Sequence, residues 1–211
     1  MVFSAIVAAL TAYLLGNLNG AVCMSVLAGR QDVRGLGSGN AGLTNFIRNY
    51  GVTGAVPVVL IDALKAVFAC LSAGLIFKPY GLELEGMALG GLMVMIGHDF
   101  PALMGFKGGK GIMSGCAIAF TIDWRIGALI LGIFLLAYLL THYVSLGSVL
   151  ASAAFAVGFA VLHHDRLWVM VCGIAMGLLA LFMHRENIVR LLTGKERKTY
   201  LLGESKQNTK E

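Results

Sequence analysis

Long apolar runs alternate with short polar connections and divide the chain into seven segments. Their approximate bounds are 3–28, 52–77, 86–104, 111–122, 126–143, 146–162 and 166–183. An α-helix needs about 20 apolar residues to cross a bilayer core about 30 Å thick. The pattern therefore predicts an all-α integral membrane protein, a polytopic helical bundle of about seven transmembrane helices. Segment 111–122 is short for a full span, so it is tilted, partial or re-entrant.

The composition agrees with a membrane protein. Of 211 residues, 58% are hydrophobic and 13% are charged, with a mean hydropathy of +0.82, whereas soluble domains carry about 25% charged residues. We expect one polytopic domain over residues 1–211, with a flexible basic tail from about residue 197. The first apolar segment is too long for the apolar region of a signal peptide, so we expect it to remain as a helix.

Basic residues are distributed unevenly between the two sides of the predicted bundle. If the segments alternate in direction, twelve basic residues fall on one side and three on the other, with Lys65 inside a span. The three are Lys78, Arg125 and Arg166; the twelve are Arg30, Arg34, Arg48, Lys107, Lys110, Arg185, Arg190, Lys195, Arg197, Lys198, Lys206 and Lys210. The positive-inside rule then places the N-terminus outside and the C-terminus in the cytoplasm.

A polar, glycine-dense stretch at residues 35–48 lies between the first two segments on the predicted cytoplasmic side. Glycines let backbone N–H groups approach a ligand closely, and successive N–H groups that lead into a helix bind anions. Ser38, Thr44 and Asn45 add donors, and Arg48 adds a forked cation that suits phosphate. We interpret the stretch as a phosphate-binding loop. The alternative is an ordinary connection in which the glycines only turn the chain.

Three further polar motifs fall on the same side. Two lysines flank a Gly-Gly pair within residues 97–111, a serine-bearing turn occupies 144–148, and His184, Asn187 and Arg190 share one helix face. Together they predict a pocket of cations and N–H donors that binds one or two phosphate groups beside an acyl chain. Lipid-phosphate chemistry and organic-phosphate transport both fit this pocket, and the residues alone do not choose between them.

Several patterns for other chemistries are present only in part. Residues 37–42 match G-x-G-x-x-G, but no strand precedes them, and residues 104–111 lack the glycine and hydroxyl of a P-loop. No serine nucleophile motif, metal site or cofactor site is indicated, and the four cysteines lie in apolar segments without a C-x-x-C pair.

Asp62 and Lys65, three residues apart in a span, form either a structural pair or part of an anion site. Asn17 and Asn19 are expected to hydrogen-bond between helices.

The polar motifs resemble, over nearly the whole chain, those of the bacterial membrane glycerol-3-phosphate acyltransferase family that uses acyl phosphate as donor. Residues 37–48 resemble G-S-G-N-x-G-x-T-N-x-x-R, residues 97–111 resemble G-H-x-F-P-x-F-x-x-F-K-G-G-K-G, and residues 184–196 resemble H-R-x-N-I-x-R-L-x-x-G-x-E. The chain departs from the family in its first span, where Gly16-Asn17-Leu18-Asn19 replaces a common G-S-I-P.

The resemblance implies the first step of phospholipid synthesis, in which acyl phosphate and sn-glycerol 3-phosphate give lysophosphatidic acid and phosphate. It implies no cofactor, no nucleic acid, a site on the cytoplasmic face of the bacterial inner membrane, and, as partners, membrane lipid and a soluble enzyme that makes acyl phosphate. The implied catalytic residues are Ser38, Arg48, Lys107, His184 and Asn187. The implied substrate-binding residues are Gly37, Gly39, Asn40, Gly42, Thr44, Asn45, His98, Gly108, Gly109, Lys110, Ser145 and Arg190. His184 is the candidate general base, although the family resemblance favours the donor phosphate as the proton acceptor. The alternative function is an organic-phosphate transporter.

Overall fold

The computed structural model describes residues 1–199, and this part contains ten α-helices and no strand. They are α1 (Val2–Gly16), α2 (Gly20–Leu27), α3 (Leu43–Tyr50), α4 (Ala55–Phe77), α5 (Glu83–Asp99), α6 (Ile112–Ile122), α7 (Trp124–Thr141), α8 (Val144–Leu162), α9 (Leu167–Met183) and α10 (Arg185–Leu192).

Four helical stretches are long and apolar enough to cross a membrane: Val52–Tyr80, Glu83–Met104, Trp124–Thr141 and Val144–Leu162. Two bent pairs, α1 with α2 (46°) and α9 with α10 (56°), also qualify if each pair is one span. The predicted short segment is α6, whose 11 residues extend about 16 Å. The all-helical membrane architecture predicted from the apolar runs is confirmed.

Polar contacts identify one end of the bundle, which we call the distal end. Ser4 Oγ lies 2.9 Å from the hydroxyl of Tyr80, at the start of α1 and beyond the end of α4. Asp123 Oδ2 lies 3.3 Å from His163 Nε2, between the α6–α7 connection and the end of α8. Within residues 1–199, the chain therefore runs seven times between its two ends, with α6 as the shortest passage. The glycine-rich motifs gather at the opposite end, which we call the site end.

The first predicted span is broken at residues 17–19. Helix ends leave carbonyl and N–H groups without intrahelical partners, and such groups need partners inside a membrane. Asp62 Oδ1 accepts from the N–H of Gly20 at 3.1 Å, and Asn19 caps α2 by accepting from Val22 N–H at 3.0 Å. The ammonium group of Lys65 donates to the carbonyl of Leu18. The break therefore depends on charged groups from α4, and a single helix over residues 3–28 was the wrong prediction.

Close packing of α1 against α5 brings the polar end of α5 to the cavity. The two helices cross at Gly16 and Gly97, where an added Cβ on either residue would overlap backbone atoms of the other helix. Two glycines at the crossing allow the backbones to approach, as is common between membrane helices. The contact positions His98, which follows Gly97 directly.

The segment after α10 does not leave the protein at residue 197, where the flexible tail was predicted to begin. Thr199 is buried, its N–H donates to His142 O at 2.9 Å, and its carbonyl accepts from the Tyr138 hydroxyl at 3.0 Å. Thr199 is therefore anchored to the end of α7. The rest of the predicted tail, residues 200–211, lies outside the described residues.

Candidate active site

A polar cavity of about 560 Å³ opens at the site end of the bundle. Its wall combines the glycine loop before α3, the start of α6, the start of α8, and the α9–α10 junction. Five cationic residues line it against two carboxylates: Arg48, Lys110, Arg190, Lys195 and Arg197 against Asp62 and Glu196. This excess of positive charge suits a phosphate-bearing ligand.

The glycine loop is organised by one buried amide. Asn45 Nδ2 lies 3.0–3.1 Å from the carbonyls of Val33, Leu36 and Asn40, and its Oδ1 accepts from the N–H of Ser38 at 3.1 Å. With its polar atoms engaged by the loop, Asn45 holds the shape of the loop. Its predicted role as a direct substrate ligand is not supported by this geometry.

The start of α3 faces the cavity without a side-chain cap. Gly42 is the N-cap residue and offers no side chain, and Leu43 and Thr44 line the cavity next to it. The N–H groups of a first helical turn lack intrahelical partners and attract anions. Arg48, on the same helix, lines the cavity with an exposed side chain and donates to Thr199 Oγ1. Desolvation of its guanidinium group lowers the pKa of Arg48, which nonetheless stays protonated.

The Gly-Gly pair of the second loop serves packing. The N–H groups of Gly108 and Gly109 donate to the carbonyls of Asp99 at 3.2 Å and His98 at 3.0 Å. An added Cβ on Gly109 would overlap the His98 ring, and one on Gly108 would overlap the His98 carbonyl. The predicted substrate-binding role of Gly108 and Gly109 is not supported by this geometry, because both N–H groups are occupied within the protein. The pair allows the loop to lie directly against the end of α5.

The two lysines of this loop have different positions. Lys110 lines the cavity, and its ammonium group donates to Asn187 Oδ1. Burial, with a smaller contribution from the nearby positive charge of Arg190, lowers the pKa of Lys110. Lys107 is exposed and does not line the cavity, and its carbonyl accepts from Arg34 Nη1 at 3.3 Å. Of the two lysines predicted for the site, Lys107 as catalytic and Lys110 as substrate-binding, only Lys110 lines the cavity.

The third motif forms a hydrogen-bonded network with Lys110. Asn187 Nδ2 donates to Glu196 Oε1 at 3.1 Å, and Arg190 Nε donates to Glu196 Oε2 at 2.7 Å. Glu196 therefore orients both the amide and the guanidinium group. Its position at the end of the third motif was a signal in the sequence, although we did not assign it to the site.

Two buried polar side chains complete the wall. His184, between α9 and α10, has Nδ1 2.8 Å from the carbonyl of Ala180. Because a carbonyl only accepts, Nδ1 carries the proton and Nε2 keeps its lone pair in the neutral ring. Ser145, at the start of α8, is buried, and its hydroxyl has no protein partner among the described residues. An unpartnered buried hydroxyl beside a cationic cavity is suited to a ligand.

An apolar cavity of about 120 Å³ adjoins the polar one. The two share four lining residues: Gly111, Ile112, Met113 and Phe134. The apolar cavity continues between α6, α7, α8 and α9 along residues such as Ile130, Phe155 and Met176. The site therefore combines a cationic region with an apolar extension into the bundle.

Most of the predicted site residues meet in the polar cavity. Those that line it are Gly37, Ser38, Asn40, Gly42, Thr44, Asn45, Arg48, His98, Lys110, Ser145, His184, Asn187 and Arg190. Those that do not are Gly39, Lys107, Gly108 and Gly109. Ser148, one turn after Ser145, lines the cavity although we did not predict it. Asp62, for which the sequence left a structural pair and an anion site as alternatives, also lines the cavity.

Comparison with known proteins identifies the family. A sequence model described as glycerol-3-phosphate acyltransferase matches residues 6–194. The chain belongs to the glycerol-3-phosphate acyltransferase family. Family members include the glycerol-3-phosphate acyltransferases of Thermoanaerobacter pseudethanolicus, 36% identical over 92% of this chain and 95% of the relative, and of Finegoldia magna, 38% identical over the same shares.

A solved member of this acyltransferase family has the same fold. The chain resembles the crystal structure of PlsY, an integral membrane glycerol 3-phosphate acyltransferase, in its glycerol 3-phosphate form. The TM-score is 0.82 at 34% identity, with 93% of this chain and 96% of that chain covered. The lysophosphatidic acid form of PlsY gives a TM-score of 0.81 at 33% identity.

Proposed function

We propose that this protein transfers an acyl group from acyl phosphate to the 1-hydroxyl of sn-glycerol 3-phosphate, giving lysophosphatidic acid and inorganic phosphate. The observation that carries the proposal is the continuity of the two cavities, which puts an apolar channel next to a cationic pocket. An acyl phosphate has this shape, with an apolar chain that ends in a dianionic group. The relatives named glycerol-3-phosphate acyltransferase support the acceptor.

The reaction needs no enzyme nucleophile. The glycerol 1-hydroxyl attacks the acyl carbonyl, a new ester bond forms, and the bond from the acyl carbon to the phosphate oxygen breaks. Acyl phosphate is an activated mixed anhydride, so positioning and charge stabilisation suffice. The hydroxyl proton goes either to the leaving phosphate or to Nε2 of His184, which holds a lone pair.

We assign the donor phosphate to the glycine loop with Ser38 and to Ser145. Arg48, His184 and Asn187 bind glycerol 3-phosphate, and Lys110 takes the place that we predicted for Lys107. Ser38, Arg48, Lys110, Ser145, His184 and Asn187 all line the polar cavity, which supports the assignment without testing it.

The decisive experiment is acyl transfer by the purified protein to labelled glycerol 3-phosphate, with acyl phosphate, acyl carrier protein and coenzyme A thioesters tested in turn. Lysophosphatidic acid from acyl phosphate supports the proposal, and none from acyl phosphate overturns it. Phosphate-dependent uptake into liposomes without any acylated product would favour the transporter.

We further propose that the site end faces the cytoplasm of a bacterial inner membrane, with the N-terminus outside. The basic residues at the site end support this orientation. There the pocket could receive acyl phosphate from a soluble enzyme that makes it. A C-terminal reporter that is active only in the cytoplasm tests the orientation, and activity only of an exported reporter would reverse it.

A further inference from the structure

Lys65 lies in α4 beneath the polar cavity, and its ammonium group is surrounded by acceptors. It is 3% exposed. Its Nζ lies 2.8 Å from Asp62 Oδ1, 2.7 Å from His98 Nδ1 and 3.3 Å from the carbonyl of Gly16, and it also contacts the carbonyl of Leu18. The lysine does not line the cavity, so its effect on a ligand must pass through a neighbour.

The contact with His98 fixes the position of the ring proton. An ammonium group has three hydrogens and no acceptor, so it donates in every hydrogen bond that it makes. His98 Nδ1 must therefore accept from Lys65, and in the neutral ring the proton lies on Nε2. Asp62 Oδ1 is 3.7 Å from the same Nδ1, beyond hydrogen-bond distance, and does not draw a proton to it.

His98 is one of the residues that line the polar cavity, and we infer that its protonated nitrogen, Nε2, is the one available to a ligand because Nδ1 is engaged by Lys65. The ring of His98 lies against Gly109, where an added Cβ would overlap Nε2, and His98 lines the polar cavity. The backbone on both sides is fixed, since the His98 carbonyl accepts from the N–H of Gly109. The ring has little freedom to turn its other edge to the ligand.

The second histidine of the cavity, His184, is held in the other tautomer. The Ala180 carbonyl fixes the proton of His184 on Nδ1, as its 2.8 Å distance requires. Nε2 of His184 is therefore an acceptor, whereas Nε2 of His98 is a donor. One cavity thus contains two neutral histidines whose fixed partners give them complementary hydrogen-bonding roles.

We propose that Lys65, supported by Asp62, is a positioning residue that fixes His98 as a hydrogen-bond donor to a carbonyl or phosphoryl oxygen of the bound acyl donor. The proposal rests on the proposed function for the identity of that ligand. A donor held in place before the reaction stabilises the negative charge that develops on an acyl or phosphate oxygen. His184, as the acceptor, is left to bind the glycerol hydroxyl.

The first test does not depend on catalysis. NMR of the full-length protein in a membrane mimetic, with ¹⁵N-labelled histidine, reports which ring nitrogen of each of the five histidines carries a proton. His98→Gln and His184→Gln assign the two signals. We expect the proton on Nε2 of His98 and on Nδ1 of His184. A proton on Nδ1 of His98 overturns the proposal even if the enzyme is active, and the expected tautomers stand even if acyl phosphate is not the donor.

The second test is a double-mutant cycle on acyl transfer. Lys65→Met and His98→Leu are measured singly and together, with Lys78→Met, an exposed lysine just beyond the same helix, as the matched control. We expect each single change to lower kcat about tenfold or more, as losses of orienting partners and donors do. In the His98→Leu background, Lys65→Met should add little. Equal fold losses in both backgrounds would show that Lys65 acts only on the fold.

A third comparison keeps the proposal testable if Lys65→Met does not fold. The side-chain amide of glutamine reaches the position of Nε2, whereas that of asparagine reaches only Nδ1. His98→Gln should therefore retain more kcat than His98→Asn. The reverse order, or equal activity, would contradict a donor role at Nε2.

Discussion

Replacement of Arg48 by alanine should separate the two substrates of the enzyme. Arg48 lines the polar cavity from α3, and its Nη2 donates to Thr199 Oγ1, which leaves other N–H groups of the fork for a ligand. We assign it to the phosphate of glycerol 3-phosphate, whereas the donor phosphate is assigned to the glycine loop. The variant should therefore raise the KM for glycerol 3-phosphate more than the KM for acyl phosphate.

The size of the effect follows from the exposure of the side chain. A hydrogen bond to a charged group contributes about 1.5–3 kcal/mol, and each 1.4 kcal/mol is about tenfold in affinity. Arg48 is exposed, so solvent screening favours the lower end of this range. We expect about a tenfold rise in the KM for glycerol 3-phosphate and a rise of about twofold or less for the donor.

The assay measures initial rates with each substrate varied at saturating levels of the other. Arg30→Ala is the matched control, because Arg30 is also an exposed arginine near α3, but it contacts Tyr50 and does not line the cavity. Equal losses for both substrates would refute the division of roles. An equal effect of Arg30→Ala would show that only the net charge of this surface matters.

Three further predictions concern stability, pH and packing. Ser145→Ala should raise the donor KM about threefold to tenfold without lowering Tm, because its buried hydroxyl has no described protein partner; a lower Tm would show that the fold needs it. Burial lowers the pKa of Lys110, so its positive charge is lost as pH rises and kcat/KM should fall on the alkaline side. Lys110→Arg should shift that fall to higher pH, because arginine stays protonated. An unchanged pH profile would exclude Lys110 as the group whose titration causes the fall. Gly97→Ala should cost about 1–3 kcal/mol of stability, measured by thermal unfolding, whereas Gly132→Ala, with open space around it, should not; equal effects would contradict the close α1–α5 crossing.

Two features were predictable because they depend on local properties of the chain: the apolar segments, and the position of the polar motifs together at one end of the bundle. Span length and loop charge are read along the chain, and the described helices follow the predicted segments closely except at the break in the first one. The glycine loop was also visible as a donor-rich stretch. The hydrogen bonds inside the loop were not predictable, because the contacts of Asn45 with Val33 and Leu36 depend on how the loop folds back on itself.

The features that the sequence did not predict depend on distant partners. The Gly108 and Gly109 N–H groups are occupied only because the loop folds back onto the end of α5. Whether Lys107 or Lys110 enters the cavity depends on the same fold, since the spacing alone makes both candidates. These positions could not be ranked without the three-dimensional path of the loop.

The break in the first span and the chemistry of the cavity depend on the same two charged residues. A broken helix at membrane depth needs acceptors for its free N–H groups and donors for its free carbonyls. Asp62 accepts from Gly20 N–H, and Lys65 donates to the carbonyl of Leu18. Lys65 also donates to Asp62 Oδ1 at 2.8 Å, and of its two other neighbours His98 Nδ1 at 2.7 Å is closer than the Gly16 carbonyl at 3.3 Å, so we assign its third hydrogen to His98. The pair therefore lets the chain bend away from α1 and, through the remaining hydrogen, leaves His98 Nε2–H available to a ligand in the polar cavity.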